Sequence, residues 1–367
     1  MLDQHSATPH DGAGDAPAHD FVRYTPQFDG RAGEYFGIWI VNVLLMILTL
    51  GLYSAWAKVR TERYFYGNTR LAGSAFEYLA DPIRILKGRL IAYVVVIAIA
   101  LSFQFLPVLY FVLMLGVFAC MPLLVFLSTR FRARYSAWRG LRFRFVGTAG
   151  EAYGPFLGWL VLSVLTLSLA YPLMRKRQHE YLVSGHRFGR TEFGFEARTA
   201  DYFVPYAIAF GAALGAFALL MTLFGISVQA ARSGGGELVA GISAFHWLIT
   251  GGLLLFYGGA FAIGVLLRTR YLNLMWNNAR LGAHRFESTL RVRDVLWLYA
   301  SNLVVVLLTL GLATPWAMVR LARYRASRFA VLVQGGIEGF VADVDAERGA
   351  AGAELVDALD LGVDIGL

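Results

Sequence analysis

The sequence has little of the charge that keeps a soluble protein in water. Only 16% of its 367 residues are charged, against about a quarter in ordinary soluble domains, while 57% are hydrophobic and the mean hydropathy is +0.55. Six blocks contain no charge at all: 35–57, 90–129, 152–174, 202–231, 238–267 and 295–319. Because each block is about as long as a membrane-crossing helix or longer, the pattern excludes a water-soluble fold and predicts an integral membrane protein.

The sequence also lacks the residues that most enzyme classes need. No Asp, Glu, Lys or Arg interrupts the apolar blocks, which argues against a buried carboxylate relay. There is no His-Glu-x-x-His, Gly-x-Ser-x-Gly or Walker lysine motif, and Cys120 is the only cysteine, so no internal disulfide can form. We therefore expect no enzymatic activity, no cofactor and no metal site.

What is present is a set of long apolar helices. The block 90–129 is about twice the length of one crossing and is interrupted by Gln104 and Pro107, so it predicts two helices. The complete set of predicted helices is 35–56, 90–106, 107–128, 155–174, 203–228, 243–267 and 295–316. The expected fold class is an all-α, multi-pass transmembrane helical bundle.

Three segments of the chain resemble one another. At an offset of 260, twelve of 23 positions between Asn42 and Tyr64 are identical to those between Asn302 and Tyr324. At an offset of 117, a weaker copy begins at Phe145. Each copy runs through an apolar helix to Thr-Leu-(Gly/Ser)-Leu and then to a basic stretch, which predicts three internal pseudo-repeats.

Short pieces follow the basic stretches and alternate between apolar and polar residues. They lie at 69–76, 141–145, 187–193 and 280–286. Alternation of period two predicts strands or hairpins, here short ones at the membrane surface.

The motif Thr-Leu-Gly-Leu…Trp-Ala-x-Val-Arg-x-x-Arg-Tyr occurs at 49–64 and again at 309–324. With Arg-Tyr-Phe-Tyr-Gly-Asn-Thr at 63–69 and Arg-Gly-Leu-Arg-Phe at 139–143, it resembles the YjgN-type family of bacterial inner-membrane proteins. The resemblance covers about residues 25–335. It implies an inner-membrane location and a multi-pass architecture, and it brings no established activity or catalytic residues.

The basic loops leave two topologies open. Arg and Lys are concentrated between the apolar blocks, and cytoplasmic loops are usually the basic ones. If all seven helices cross the membrane, two basic loops lie on the side opposite the cytoplasm. If the three repeat helices instead dip into the membrane and return, every basic loop lies in the cytoplasm.

Both ends differ in composition from the membrane domain, 27–335. Residues 1–26 contain no apolar run and are expected to form a disordered tail, while 341–367 form an acidic tail.

The candidate site residues come from the repeats and from one glycine row. Expected lipid or partner contacts are Trp56, Arg60, Arg63, Trp316, Arg320 and Arg323, because arginines beside an interfacial tryptophan suit anionic headgroups. Asn42 and Asn302 are polar positions within apolar helices, where they bond helices together or line a path. Gly211 and Gly215 form a small-residue row expected to pack helices.

The leading functional hypothesis is a non-enzymatic membrane module that binds membrane lipids or a partner membrane protein. The alternative is a transporter or channel for a small uncharged or anionic solute, since internal repeats are common in transport folds. The net charge of +8 is attributed to membrane-facing loops, and nucleic acid is not an expected partner.

Overall fold

A computed structural model describes residues 21–233 and 238–335, together with Val344 and Ala346. The helices are α1 (Ala32–Leu48), α2 (Ser54–Gly67), α3 (Pro82–Phe105), α4 (Pro107–Arg134), α5 (Ala149–Tyr153), α6 (Trp159–Leu165), α7 (Tyr171–Ser184), α8 (Thr199–Ser233), α9 (Leu238–Asn277), α10 (Val292–Leu308) and α11 (Thr314–Ser327). A π-helical turn, Gly154–Gly158, joins α5 to α6.

The strands are short and fall between the helical segments. They are β1 (Phe21–Tyr24), β2 (Gln27–Phe28), β3 (Thr69–Leu71), β4 (Ser74–Tyr78), β5 (Ser136–Trp138), β6 (Leu141–Phe145), β7 (His186–Phe188), β8 (Thr191–Phe195), β9 (Ala279–Leu281), β10 (His284–Ser288) and β11 (Phe329–Gln334). The alternating pieces predicted at 69–76, 187–193 and 280–286 fall on the hairpins β3–β4, β7–β8 and β9–β10, and the piece at 141–145 is the single strand β6.

The prediction of an all-α fold is wrong, because these strands join into one antiparallel sheet of eleven strands. Its order is β1-β11-β10-β9-β8-β7-β6-β5-β4-β3-β2. Strands too short to be stable alone are stabilised by pairing with hairpins from distant parts of the chain. The prediction treated each hairpin as an isolated surface piece and so missed the sheet.

The sheet is curled, and one segment closes it. β1 and β2 lie at its opposite edges, yet only Thr25 and Pro26 separate them in the chain. Three residues of extended chain reach at most about 10 Å, so the two edges must lie close together. β1 pairs only with β11 and β2 pairs only with β3 among the described strands, so the two open edges are short strands of four and two residues.

A two-residue turn connects the two strands of each hairpin. The inward-facing side chains of these strands form the core. Ala72 and Gly73, like Arg139 and Gly140, both have positive φ, as type I′ turns require. Along β6, Leu141, Phe143 and Phe145 alternate with two exposed arginines. The buried core collects Leu71, Trp138, Leu141, Phe188, Leu281, Val331 and Val333 from six strands of the sheet, together with Val344 from outside it.

Five helical hairpins leave this sheet and return to it. Two are long, α3–α4 and α8–α9, and among the described residues four helices are long and apolar enough to cross a membrane. Only 6% of the residues in the most apolar window of each span are buried, which suits a lipid environment. The predicted segments 90–106, 107–128, 203–228 and 243–267 fall on these four helices.

The other three predicted helices are wrong as single spans. In 35–56, 155–174 and 295–316 the chain turns back after Leu48, Leu165 and Leu308, giving the short hairpins α1–α2, α5/α6–α7 and α10–α11. Hydropathy cannot reveal such a turn, since it lies inside a charge-free block.

The helices pack in chain order, each against the next, and α11 returns to pack against α1. Short and long hairpins lie side by side and leave the sheet from the strand ends opposite the two-residue turns. Of the predicted tails, 1–20 lie outside the described residues, while Phe21–Tyr24 is a strand of the sheet. The acidic tail, 341–367, also lies outside them apart from Val344 and Ala346.

Candidate functional site

A cavity of about 740 Å³ lies between α2, α9 and α11, against the core of the sheet. Its wall is mainly apolar and includes Phe65, Tyr66, Leu272, Trp276, Leu321 and Phe329. The Trp276 ring contacts the Phe329 ring edge to face, with centroids 5.1 Å apart. Ligand pockets in proteins typically have volumes of about 300–1,000 Å³, so this space is large enough for an organic molecule.

Two arginines stand at this cavity. Arg268 on α9 and Arg325 on α11 both line it, and both line a smaller pocket beside it. Within the part of the chain that the structure describes, Arg268 makes no hydrogen bond or ion pair. Arg325 donates only to the Tyr299 hydroxyl, at 3.4 Å. Two cations without a carboxylate between them, beside an apolar space, favour an anionic amphiphile.

The predicted residues of the third repeat form a connected cluster. The Arg320 guanidinium donates to Asn302 Oδ1 at 2.9 Å and to Ser301 Oγ at 2.7 Å, and it lies 5.2 Å from the Trp316 ring centroid. Asn302 Nδ2 donates to the Ala317 carbonyl at 3.4 Å. Asn302 thus connects α10 to α11.

The first repeat has the same residues in a different arrangement. Asn42 is 3% exposed, and its Oδ1 has no hydrogen-bond partner. Arg60, which corresponds to Arg320, is exposed and donates instead to the Tyr53 hydroxyl at 3.2 Å. The Tyr53 ring stacks on Trp56. Arg60 therefore remains available at the surface, whereas Arg320 is partly buried by its partners.

Arg63 and Arg323 connect neighbouring hairpins. Arg63 donates to the Ala80 carbonyl at 3.4 Å, just before α3, and Arg323 donates to the Gly30 carbonyl at 3.2 Å, just before α1. Their guanidinium groups thus fasten one hairpin to the loop that begins the next. A lipid contact by either residue stays a prediction.

Gly211 and Gly215 do not face another helix of this chain. A Cβ added at either position would meet no atom within 4 Å. The contact between α8 and α9 uses Gly252 instead, whose added Cβ would lie 3.7 Å from Leu220. The glycine row lies open on the outside of the hairpin.

Sequence reasoning missed a buried polar cluster that joins α7 to the long hairpin. His179 Nδ1 lies 2.8 Å from the Tyr202 hydroxyl, and the Tyr271 hydroxyl donates to the Tyr202 carbonyl at 3.0 Å. Burial, with a smaller effect from the nearby Arg175 charge, lowers the pKa of His179 to about 3. Because its members are 23 and 69 residues apart, no local pattern could have revealed this cluster.

Sequence reasoning also missed Arg268, Arg325 and Trp276. One signal was available, since Arg268 is the first charge after the apolar block 238–267. Across residues 21–233 and 238–335 there is no group of three or more His, Cys, Asp or Glu side chains placed to hold a metal ion.

The outer face of the sheet carries further unpaired positive charge. Arg142 and Arg144 on β6 are exposed and make no hydrogen bond or ion pair with described residues. Arg144 also lies directly opposite Arg187 across the β6–β7 pair. Like charges placed opposite each other destabilise a sheet, and here Glu192 forms an ion pair with Arg187 that offsets this repulsion.

Four apolar spans above a basic, curled sheet define the class as a bacterial multi-pass membrane protein, and the comparisons agree. The chain belongs to the family described as "Bacterial protein of unknown function (DUF898)", whose match covers residues 23–358. It is 24% identical over 364 residues to "Inner membrane protein YjgN" of Salmonella typhimurium (strain LT2), covering 87% of this chain and 90% of that protein.

A second relative is the protein of the same description from Escherichia coli (strain K12), 26% identical over 279 residues, which is 74% of this chain and 53% of that protein. No solved structure matches the chain. The resemblance inferred from the motifs is confirmed, and the protein is a multi-pass inner-membrane protein.

Proposed function

We propose that the protein is a non-enzymatic lipid-binding module of the inner membrane. In this proposal the cavity takes the apolar part of an anionic membrane lipid, while Arg268 and Arg325 bind its phosphate. The single observation that carries the proposal is the combination of an apolar cavity of about 740 Å³ with two arginines that form no ion pair with any carboxylate of the described residues.

The position of this site supports the proposal. Arg268 follows directly after the apolar part of α9, so its guanidinium lies where the hydrocarbon ends. Phospholipid headgroups are found at this depth, and arginine binds phosphate through two parallel hydrogen bonds. The basic residues on the sheet favour placing it in the cytoplasm, where the leaflet is anionic.

Of the three short hairpins, the first and the third line the site, through α2 and α11. The transporter alternative requires Asn42 and Asn302 to line a common path. Neither residue lines the cavity, and both side chains are buried. Binding therefore has more support than transport.

The test measures lipid affinity of the purified full-length chain in detergent. The probe is phosphatidylglycerol with a fluorescent NBD-labelled acyl chain, read by energy transfer from tryptophan, and the same probe on phosphatidylcholine is the reference. We expect tighter binding of phosphatidylglycerol, and we expect Arg268→Gln with Arg325→Gln to weaken it about tenfold or more, because charge-assisted hydrogen bonds are lost.

A matched variant, Arg142→Gln with Arg144→Gln, removes the same charge from the outer face of the sheet. It should bind the probe nearly as the unchanged protein does. Equal binding of both lipids, or an equal loss in both double variants, would refute a specific site and leave only general attraction to anionic surfaces. Trp276→Phe should reduce the energy transfer, since the donor lines the cavity.

A further inference from the structure

The tips of the three short hairpins carry the most exposed leucines of the described chain. Leu50 and Leu310 are each 94% exposed and Leu167 is 87% exposed. The residues two positions before and two positions after each of them are also leucines, and these leucines are exposed as well. An apolar tip that occurs three times at one end of the molecule is unusual for a surface in water.

The backbone at each tip satisfies its own hydrogen bonds. Thr309 Oγ1 donates to the Val305 carbonyl at 2.8 Å and accepts from the Ala313 amide at 3.0 Å, so one hydroxyl bridges the end of α10 and the start of α11. The Gly311 amide donates to the Val306 carbonyl at 2.8 Å. Thr49 and Thr166 make the same two bonds at the other tips.

This bonding has a conformational cost. Leu50, Leu167 and Leu310 have φ near +50°, a region that leucine rarely adopts. The strained turn keeps the backbone amides paired and directs three leucines outward. Backbone within hydrocarbon must be paired in this way because no water is present to bond it.

The charges on the returning helices indicate how deep the tips reach. The first charged residues after the turn glycine or serine are Lys58, Arg175 and Arg320, which follow Gly51, Ser168 and Gly311 by seven, seven and nine positions. At about 1.5 Å per residue this is about 10–14 Å, roughly half of the ~30 Å hydrocarbon core. Trp56 and Trp316 lie between tip and charge, as interfacial aromatics do.

We propose that the three leucine tips insert into the hydrocarbon of the leaflet next to the sheet and end there. The tips contact the acyl chains of that leaflet. They enter it beside α3, α4, α8 and α9. The near leaflet then contains all five helical hairpins, whereas the far leaflet contains only α3–α4 and α8–α9. The protein occupies more area in the leaflet next to its sheet and acts as a wedge there.

The test uses single cysteines in a Cys120→Ala background, at Leu50, Leu167 and Leu310, with Leu52→Cys as a second variant at the first tip. Glu77→Cys marks the exposed sheet, and Leu106→Cys marks the turn between α3 and α4. Each protein is treated with a membrane-impermeant maleimide in membrane vesicles of both orientations.

We expect Glu77→Cys and Leu106→Cys to react from opposite faces. The tip cysteines should react from neither face, more slowly than Glu77→Cys by about tenfold or more, because the reactive thiolate does not form in hydrocarbon. An NBD label attached to them in detergent should, after reconstitution, be quenched by phosphatidylcholine brominated on its acyl chains and not by aqueous iodide.

Either of two results would overturn the proposal. Tip cysteines that react from the same face as Leu106→Cys would mean that the hairpins cross the whole bilayer. Tip cysteines that react as fast as Glu77→Cys from its face would place the tips in water. Neither measurement involves Arg268 or Arg325, so the lipid-site proposal stands or fails separately.

Discussion

At the scale of single residues, identical repeat positions have different roles. The side-chain amide of Asn302 both donates and accepts a hydrogen bond. Asn42 Oδ1 has no hydrogen-bond partner, and Arg60, which corresponds to Arg320, is exposed. The difference arises from Arg320, which is partly buried and contacts Ser301 as well as Asn302. A repeat motif predicts where a polar side chain lies, but the neighbours decide its partners.

His179 gives a prediction about pH. Its pKa is about 3 in the folded protein and 6.5 in the unfolded chain, so below pH 6.5 only the unfolded state gains a proton at this position. Stability should therefore fall as pH decreases from about 6.5, by up to about 1.4 kcal/mol per unit. Thermal unfolding in detergent between pH 7 and pH 5 measures this.

The control is His179→Gln, which can still bond the Tyr202 hydroxyl but does not titrate. Its stability should depend less steeply on pH than that of the unchanged protein. His186, whose pKa burial also lowers, is present in both proteins and cancels in the comparison. Parallel pH profiles would contradict a neutral, buried His179.

At the scale of elements, each short hairpin depends on its tip threonine. Thr309→Val removes the acceptor for the Ala313 amide and should destabilise the protein by about 1–3 kcal/mol, because a buried donor is left unpaired. Thr309→Ser keeps both bonds and should restore most of the stability. The unfolding midpoint in detergent, followed by tryptophan fluorescence, measures both variants.

Thr222→Val is the matched substitution on a membrane-crossing helix. The Thr222 hydroxyl donates to the Ala218 carbonyl at 2.9 Å. Its loss should cost only about 0.6 kcal/mol. If Thr222→Val and Thr309→Val lower the midpoint equally, the bridge between the two helices of the hairpin is not important.

At the scale of the whole molecule, β1 connects the two edges of the sheet. Its four residues pair with β11, Arg23 forms an ion pair with Glu287 at 3.5 Å, and Arg285 lies over the Phe21 ring. A chain that begins at Thr25 should be less stable than one that begins at Phe21 by about 1–4 kcal/mol, since four cross-strand pairs are lost.

Unfolding midpoints of these two shortened chains, purified in the same detergent, measure the effect. The chain that begins at Phe21 serves as the reference because it keeps every residue of β1. Equal midpoints would mean that the sheet does not need β1 to hold its edges together.

The sequence by itself determined the environment of this protein and many of its local elements. Charge-free blocks specify burial in lipid, because the cost of placing charge in hydrocarbon depends only on local composition. The long hairpins at 90–128 and 203–267 and the alternating pieces at 69–76 and 141–145 follow from periodicity and length for the same reason.

Only the tertiary structure decided how these elements combine. The curled sheet pairs strands from both ends of the chain, and the cavity brings together Phe65, Trp276 and Leu321 from three distant helices. The turns after Leu48 and Leu308 are equally invisible to hydropathy, because each lies inside a charge-free block. Pairing, closure and reversal depend on contacts between residues far apart in the chain, and a local pattern carries no information about which distant partner completes them.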